Sequence, residues 1–134
     1  MPEHLIRLRG GWERQDLDAP ESGPTRITLP IHLDSSLARR VRLSRRFGSP
    51  PLQREVETLG LRLHHVPGLV SVTINGSPFP LPPQGGGWPE IALHELPQRN
   101  LLVLEVNLAA VHSPGQAGAS RWGEIALVVR AVAR

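Results

Sequence analysis

Hydrophobic and polar residues alternate with a period of two along most of this chain, the spacing of strands with one face in a core. Two runs are the clearest. In Thr25–Leu33, Ile27, Leu29, Ile31 and Leu33 face one way and Thr28, Pro30 and His32 the other. In Leu69–Ile74, Val70, Val72 and Ile74 alternate with Ser71 and Thr73. His4–Arg9, Ala38–Phe47, Glu55–His65 and Ile91–Leu96 repeat the pattern. Leu101–Leu108 is apolar at almost every position, which predicts a central strand covered on both faces. Glu124–Val132 is read as the last strand. No window of about 11 residues or more carries a helical period.

The breaks between these runs follow from turn chemistry. Asn75-Gly76 supplies the two residue types that most easily take positive φ, so the strand before it ends in a tight turn. Pro67-Gly68, Gly48-Ser49-Pro50-Pro51 and Pro97-Gln98-Arg99-Asn100 mark further turns. The segment from Trp12 to Pro24 carries Glu13, Asp16, Asp18 and Glu21 and reads as a polar surface loop, and Ser77–Pro89 as an irregular, proline-dense connection. Pro30 cannot donate to a ladder, which predicts an edge or a bulge. Eight short strands with turns between them point to an all-β fold, an antiparallel jelly-roll β-sandwich forming a single domain over residues 1–134.

Composition narrows the chemistry. The chain has 134 residues, room for one sizeable core, and its 13 glycines and 14 prolines suit many short strands joined by turns. There is no cysteine, which excludes disulfides and thiolate metal sites. The first residues lack the apolar run of a signal peptide and no stretch is long enough to span a bilayer, so a soluble cytoplasmic protein without a membrane role is the expectation. All 15 basic residues are arginine, yet the net charge is only +3.

Three segments together resemble the sugar-binding β-sandwich domain that opens family-2 glycoside hydrolases of the β-galactosidase type, a member of the galactose-binding-like group. They are Val72-Thr73-Ile74-Asn75-Gly76; Ile91–Leu96 followed by Arg99-Asn100-Leu101-Leu102-Val103-Leu104-Glu105-Val106; and Trp122-Gly123-Glu124-Ile125-Ala126-Leu127. Arg99 stands near where the group has a glycine, and the third match is loose because the nearest upstream glycine is Gly118. The resemblance implies the jelly-roll fold and carbohydrate as a ligand class. It gives structural turn roles to Asn75, Gly76 and Asn100. It also implies a non-catalytic module, since in those hydrolases the catalytic carboxylates belong to a separate barrel domain.

The residues themselves offer few reactive arrangements. Trp12, Trp88 and Trp122 each adjoin a glycine near a strand end. They form either an aromatic platform for the C–H face of a sugar or caps over the core. The run Arg39–Arg46 holds five arginines in one strand. It reads as a solvated face pairing with Glu55 and Glu57 rather than as a nucleic-acid surface, because it lacks interleaved aromatics. His64 and His65 are adjacent and point to opposite faces, so no metal site is expected, and Asp16 and Asp18 lack a calcium-loop signature. No glycine elbow surrounds Ser35, Ser36 or Ser113, and no cofactor is implied. The expectation is a carbohydrate-binding module at Trp12, Trp88 and Trp122. The alternative is a structural or protein-interaction domain that binds no sugar and self-associates.

Overall fold

Strand pairing alone organises the chain. The computed structural model describes residues 3–18, 21, 23–31, 40–53, 56–81, 89–107 and 122–131. Within them lie ten strands: β1 (Glu3–Arg7), β2 (Trp12–Asp16), β3 (Thr25–Ile27), β4 (Arg40–Gly48), β5 (Glu57–His64), β6 (Leu69–Ile74), β7 (Ser77–Phe79), β8 (Glu90–Leu93), β9 (Arg99–Asn107) and β10 (Glu124–Ala131). They form two antiparallel sheets, a smaller one ordered β1-β10-β5-β8 and a larger one ordered β3-β2-β4-β9-β6-β7. Among the described residues no helix is long and apolar enough to cross a membrane.

The core lies between the sheets because alternate residues of each strand point the same way. Val41, Leu43 and Phe47 of β4, Leu102, Leu104 and Val106 of β9, and Val72 and Ile74 of β6 face inward from the larger sheet. Leu59, Leu61 and Leu63 of β5 and Ile125, Leu127 and Val129 of β10 meet them from the smaller one. Each such side chain contributes about 1.5–3 kcal/mol by leaving water.

The two strands beyond the eight expected lie where loops were read. Trp12–Asp16 pairs with β4 over five residues despite its polar sequence, since β2 needs only Trp12 to anchor its inner face. Ser77–Phe79 folds back on β6 through Asn75-Gly76, whose φ values of 54° and 81° are those of a two-residue hairpin turn. Pro78 is tolerated there because β7 is a sheet edge. Conversely, the run from Thr25 is shorter than its alternation predicts. β3, also an edge, stops at Ile27 ahead of Pro30, and Ile31 makes a single bridge to Trp122. His32 and Leu33 lie outside the described residues.

Two burial expectations are corrected. The strand buried on both faces is β10, in which Ile125 to Val129 are all buried, and not β9, whose exposure alternates and leaves Leu101 38% exposed. In β6 the register shifts between Leu69 and Ser71, so Leu69 takes the place opposite Val106 and Val70 becomes the extra residue of a bulge. Val70 is therefore 57% exposed, not part of the inner face with Val72 and Ile74.

Candidate functional site

The expected aromatic platform has no counterpart at Trp12 or Trp122. Both rings are buried in the common core. The Trp12 indole N–H donates to the Leu8 carbonyl and that of Trp122 to the Pro67 carbonyl, each at 2.8 Å. Trp122 also exchanges two backbone hydrogen bonds with Ile31, and the next residue, Gly123, donates to the His65 carbonyl. These rings stitch loops to the core, and neither presents a face on which a sugar can stack. Trp88 lies outside the described residues.

Asn75, Gly76 and Asn100 come together as a turn assembly. Asn75 Nδ2 donates to Asn100 Oδ1 at 2.9 Å, and Asn75 Oδ1 accepts from the Leu101 backbone N–H. Asn100 Nδ2 donates to the Pro97 carbonyl. Every polar atom of the buried Asn100 side chain is thus satisfied, and none is turned outward to a ligand.

The arginine-rich strand also finds different partners from those expected. β4 lies between β2 and β9, whereas β5 belongs to the other sheet, so Glu57 cannot face it. Arg40 and Arg42 instead meet Glu105 of β9 at 3.8 and 3.4 Å, and Arg45 turns inward, where its Nε donates to the Gly10 carbonyl. Burial lowers the Arg45 pKa. Arg39 and Glu55 lie outside the described residues.

The most developed polar surface is on the outer face of the smaller sheet. Cross-strand register places Leu5, Val128, Gly60 and Ala92 in one row, with Arg7, Ala126, Arg62 and Glu90 in the next. Glu3 and Glu90, one from each edge strand, close a ring of ion pairs with Arg62 and Arg130 from the two central strands. Arg62 donates to Glu3 at 2.8 Å and to Glu90 at 3.3 Å. Arg130 donates to Glu3 at 3.0 Å and grips Glu90 with both terminal nitrogens. Hydrogen bonds from Arg62, then Arg130, hold the Glu3 carboxyl below its usual range. Those from Arg130, then Arg62, do the same for Glu90.

This ring accounts for the double burial of β10. Val128 points away from the core yet is only 1% exposed, because the arms of the ring lie across it and its neighbour Gly60. A Cβ on Gly60 would lie in ordinary contact with the Glu90 side chain at 3.7 Å, so Glu90 passes directly over this position on its way to β10.

Beside the ring the surface sinks into a groove of about 490 Å³, within the range of small-molecule sites. Its floor is Gly123 to Ala126 at the start of β10; one wall is the Thr28–Pro30 loop and the other is Arg62 and His64 of β5. Leu5, Arg7 and Arg9 line it from the β1 side. The hollow exists because Ala126 is a small residue between two arginines, Arg7 and Arg62, in the same cross-strand row. Arg62 is already committed to Glu3 and Glu90, whereas no carboxylate among the described residues pairs with Arg7 or Arg9. Among the described residues Glu124 is the one carboxylate lining the groove, and it lies 3.7 Å from His65 Nε2.

A second hollow, of about 610 Å³, lies at the opposite end of β5 between Ser49–Leu52 and Leu93–Leu96. Glu57 at its rim is tied to the Gln53 backbone N–H, and no arginine is among the described residues that line the hollow. Among the described residues no three His, Asp or Glu side chains gather as a metal-ligand set.

Sequence reading missed the groove. Arg7, Arg62 and His64 sit at ordinary outward positions of alternating strands, and nothing local signals that β1 and β5 flank the same strand. The register to β10 alone brings them together.

Fold and surface define a two-sheet antiparallel β-sandwich with a polar groove outside its smaller sheet. No sequence-family profile matches the chain, and no curated protein sequence does. Solved structures do match. An FMN-binding β-glucuronidase from Facaelibacterium prausnitzii L2-6 superposes with a TM-score of 0.69 at 18% identity, over 95% of this chain and 22% of that one. A β-glucuronidase from an uncultured Clostridium gives 0.66 at 16% identity, over 95% of this chain and 29% of that one. The β-glucuronidase of Ruminococcus gnavus, solved with D-glucaro 1,5-lactone, gives 0.62 at 15% identity, with 96% and 29% covered. The fold is that of a β-sandwich portion of these family-2 glycoside hydrolases, as the sequence resemblance implied. The chain spans less than a third of their length.

Proposed function

We propose that this chain is a non-catalytic carbohydrate-binding module whose binding place is the groove over Ala126. The observation that carries the reading is a preformed hollow of about 490 Å³ on a sandwich shared with sugar hydrolases. Hydrogen-bonding groups for sugar hydroxyls surround it: Thr28, His64, Arg7 and Glu124. The non-catalytic part is supported by the groove's described lining, which offers one carboxylate where glycoside hydrolysis generally uses a pair across the scissile bond. Calorimetric titration with a panel of oligosaccharides tests it. Saturable binding that Ala126→Leu, which fills the floor, abolishes without lowering the melting temperature supports the reading. Silence across the panel at millimolar ligand removes it.

Protein docking is the second reading, and exposure of Val70 and Leu101 on the larger sheet favours it. Sedimentation equilibrium separates the two. An oligomer dispersed by Val70→Ser and Leu101→Ser, together with no glycan bound, selects docking.

A further inference from the structure

We propose that the groove over Ala126 recognises an acidic saccharide, taking its carboxylate or sulfate group at Arg7 and Arg9. This rests on the carbohydrate reading above and names the ligand class. Arg7 and Arg9 are two residues apart, so in extended chain they lean to the same side, about 7 Å apart at the backbone. Two guanidinium groups so placed repel each other, and among the described residues neither has a carboxylate to offset its charge.

The neighbouring charges supply only part of that offset. Glu3, Glu90, Arg62 and Arg130 satisfy one another in a ring of zero net charge. Arg62 therefore acts as a fixed wall and not as a free cation. Glu124 offsets one of the two remaining charges, which leaves one arginine charge in excess among the described lining residues.

Guanidinium is suited to this task, because its planar fork of N–H donors matches carboxylate and sulfate oxygens two at a time. Thr28 and His64 add donors or acceptors within the same hollow for the hydroxyls of the attached sugar ring. A nucleic-acid ligand fits less well. Single-strand recognition stacks bases on exposed aromatic rings, and Trp12, Trp122 and Phe47 are all buried.

The test is calorimetry at low salt with three matched oligosaccharides: one bearing uronic carboxylates, one sulfated, and the uronic one reduced to its neutral form. Inorganic sulfate is titrated separately. At least one acidic form should bind tenfold or more tightly than the neutral one. The doubly substituted Arg7→Gln, Arg9→Gln chain should lose that preference, and its melting temperature should be unchanged because no ion pair is removed. Which acidic form wins identifies carboxylate or sulfate as the recognised group. Equal binding of acidic and neutral forms overturns the inference and leaves the carbohydrate reading standing. Binding of inorganic sulfate alone, with every saccharide silent, overturns both as stated.

Discussion

Asn75 and Asn100, 25 positions apart in sequence, are joined by a 2.9 Å hydrogen bond from Asn75 Nδ2 to Asn100 Oδ1. The bond ties the β6–β7 turn to the start of β9, and the Pro97 carbonyl accepts from the other end of the Asn100 amide. Asn100 is 3% exposed, so removing its amide takes away two hydrogen bonds at a packed position, although the exposed Asn75 and Pro97 can turn to water. Asn100→Ala should lower unfolding free energy by about 1–3 kcal/mol, read from the midpoint of urea denaturation. The Asn75→Ala, Asn100→Ala double variant should cost less than the sum of the two single losses, since the residues share one bond.

Trp12 and Trp122 give a prediction of a different kind. Each indole N–H is the partner of a backbone carbonyl, so Trp12→Phe or Trp122→Phe leaves that carbonyl without it and opens space in the core. Each should destabilise by about 1–3 kcal/mol in chemical denaturation. At ligand concentrations that saturate the folded protein, neither should change affinity for a saccharide, because neither ring lines the groove over Ala126.

The ion-pair ring makes stability depend on acid pH. The folded carboxyl pKa values of Glu3 and Glu90 lie below the unfolded value near 4.5. The folded state therefore releases those protons more readily, and the stabilisation is complete above that unfolded value. It is lost as pH falls from there through the lowered folded pKa values. Melting temperature measured from neutral pH down into that range should fall less in the Glu3→Gln, Glu90→Gln double variant than in the parent. Added salt should shrink the difference, because the ring is partly exposed and open to screening.

Gly123 is required at its position on two counts. Its φ is +95°, and a Cβ there would lie 3.0 Å from Leu29 Cδ1. Gly123→Ala must strain the backbone and shift the buried Leu29 side chain by a few tenths of an ångström, so it should destabilise by more than about 1 kcal/mol. Gly76→Ala, at φ +81° with open space around it, carries the backbone cost alone and should be the milder change in the same denaturation series.

How far the alternation of residues could be read is visible in β9 and β10. Leu101–Leu108 looked buried on both faces, yet Leu101 and Val103 point out from the larger sheet. Ile125–Val129 is the segment covered twice, by the core beneath and by the Glu3–Arg62–Glu90–Arg130 ring above. Hydropathy does not separate these cases, because apolar residues remain common on protein surfaces. The cover over β10 comes from side chains up to 127 residues away in sequence.

The sequence by itself determined the all-β class, most strand positions, the Asn75-Gly76 turn and the likeness to a sugar-hydrolase sandwich. Those features rest on local physics: a two-residue period, glycine and asparagine at positive φ, proline at breaks. Only the tertiary structure decided that Trp12 and Trp122 belong to the core, that Glu105 and not Glu57 faces the arginines of β4, and that Arg7, Arg62 and His64 border one groove. Each of those depends on which strands become neighbours and in what register. That choice is made by burying both sheets' inner faces at once, and no local stretch of sequence records it.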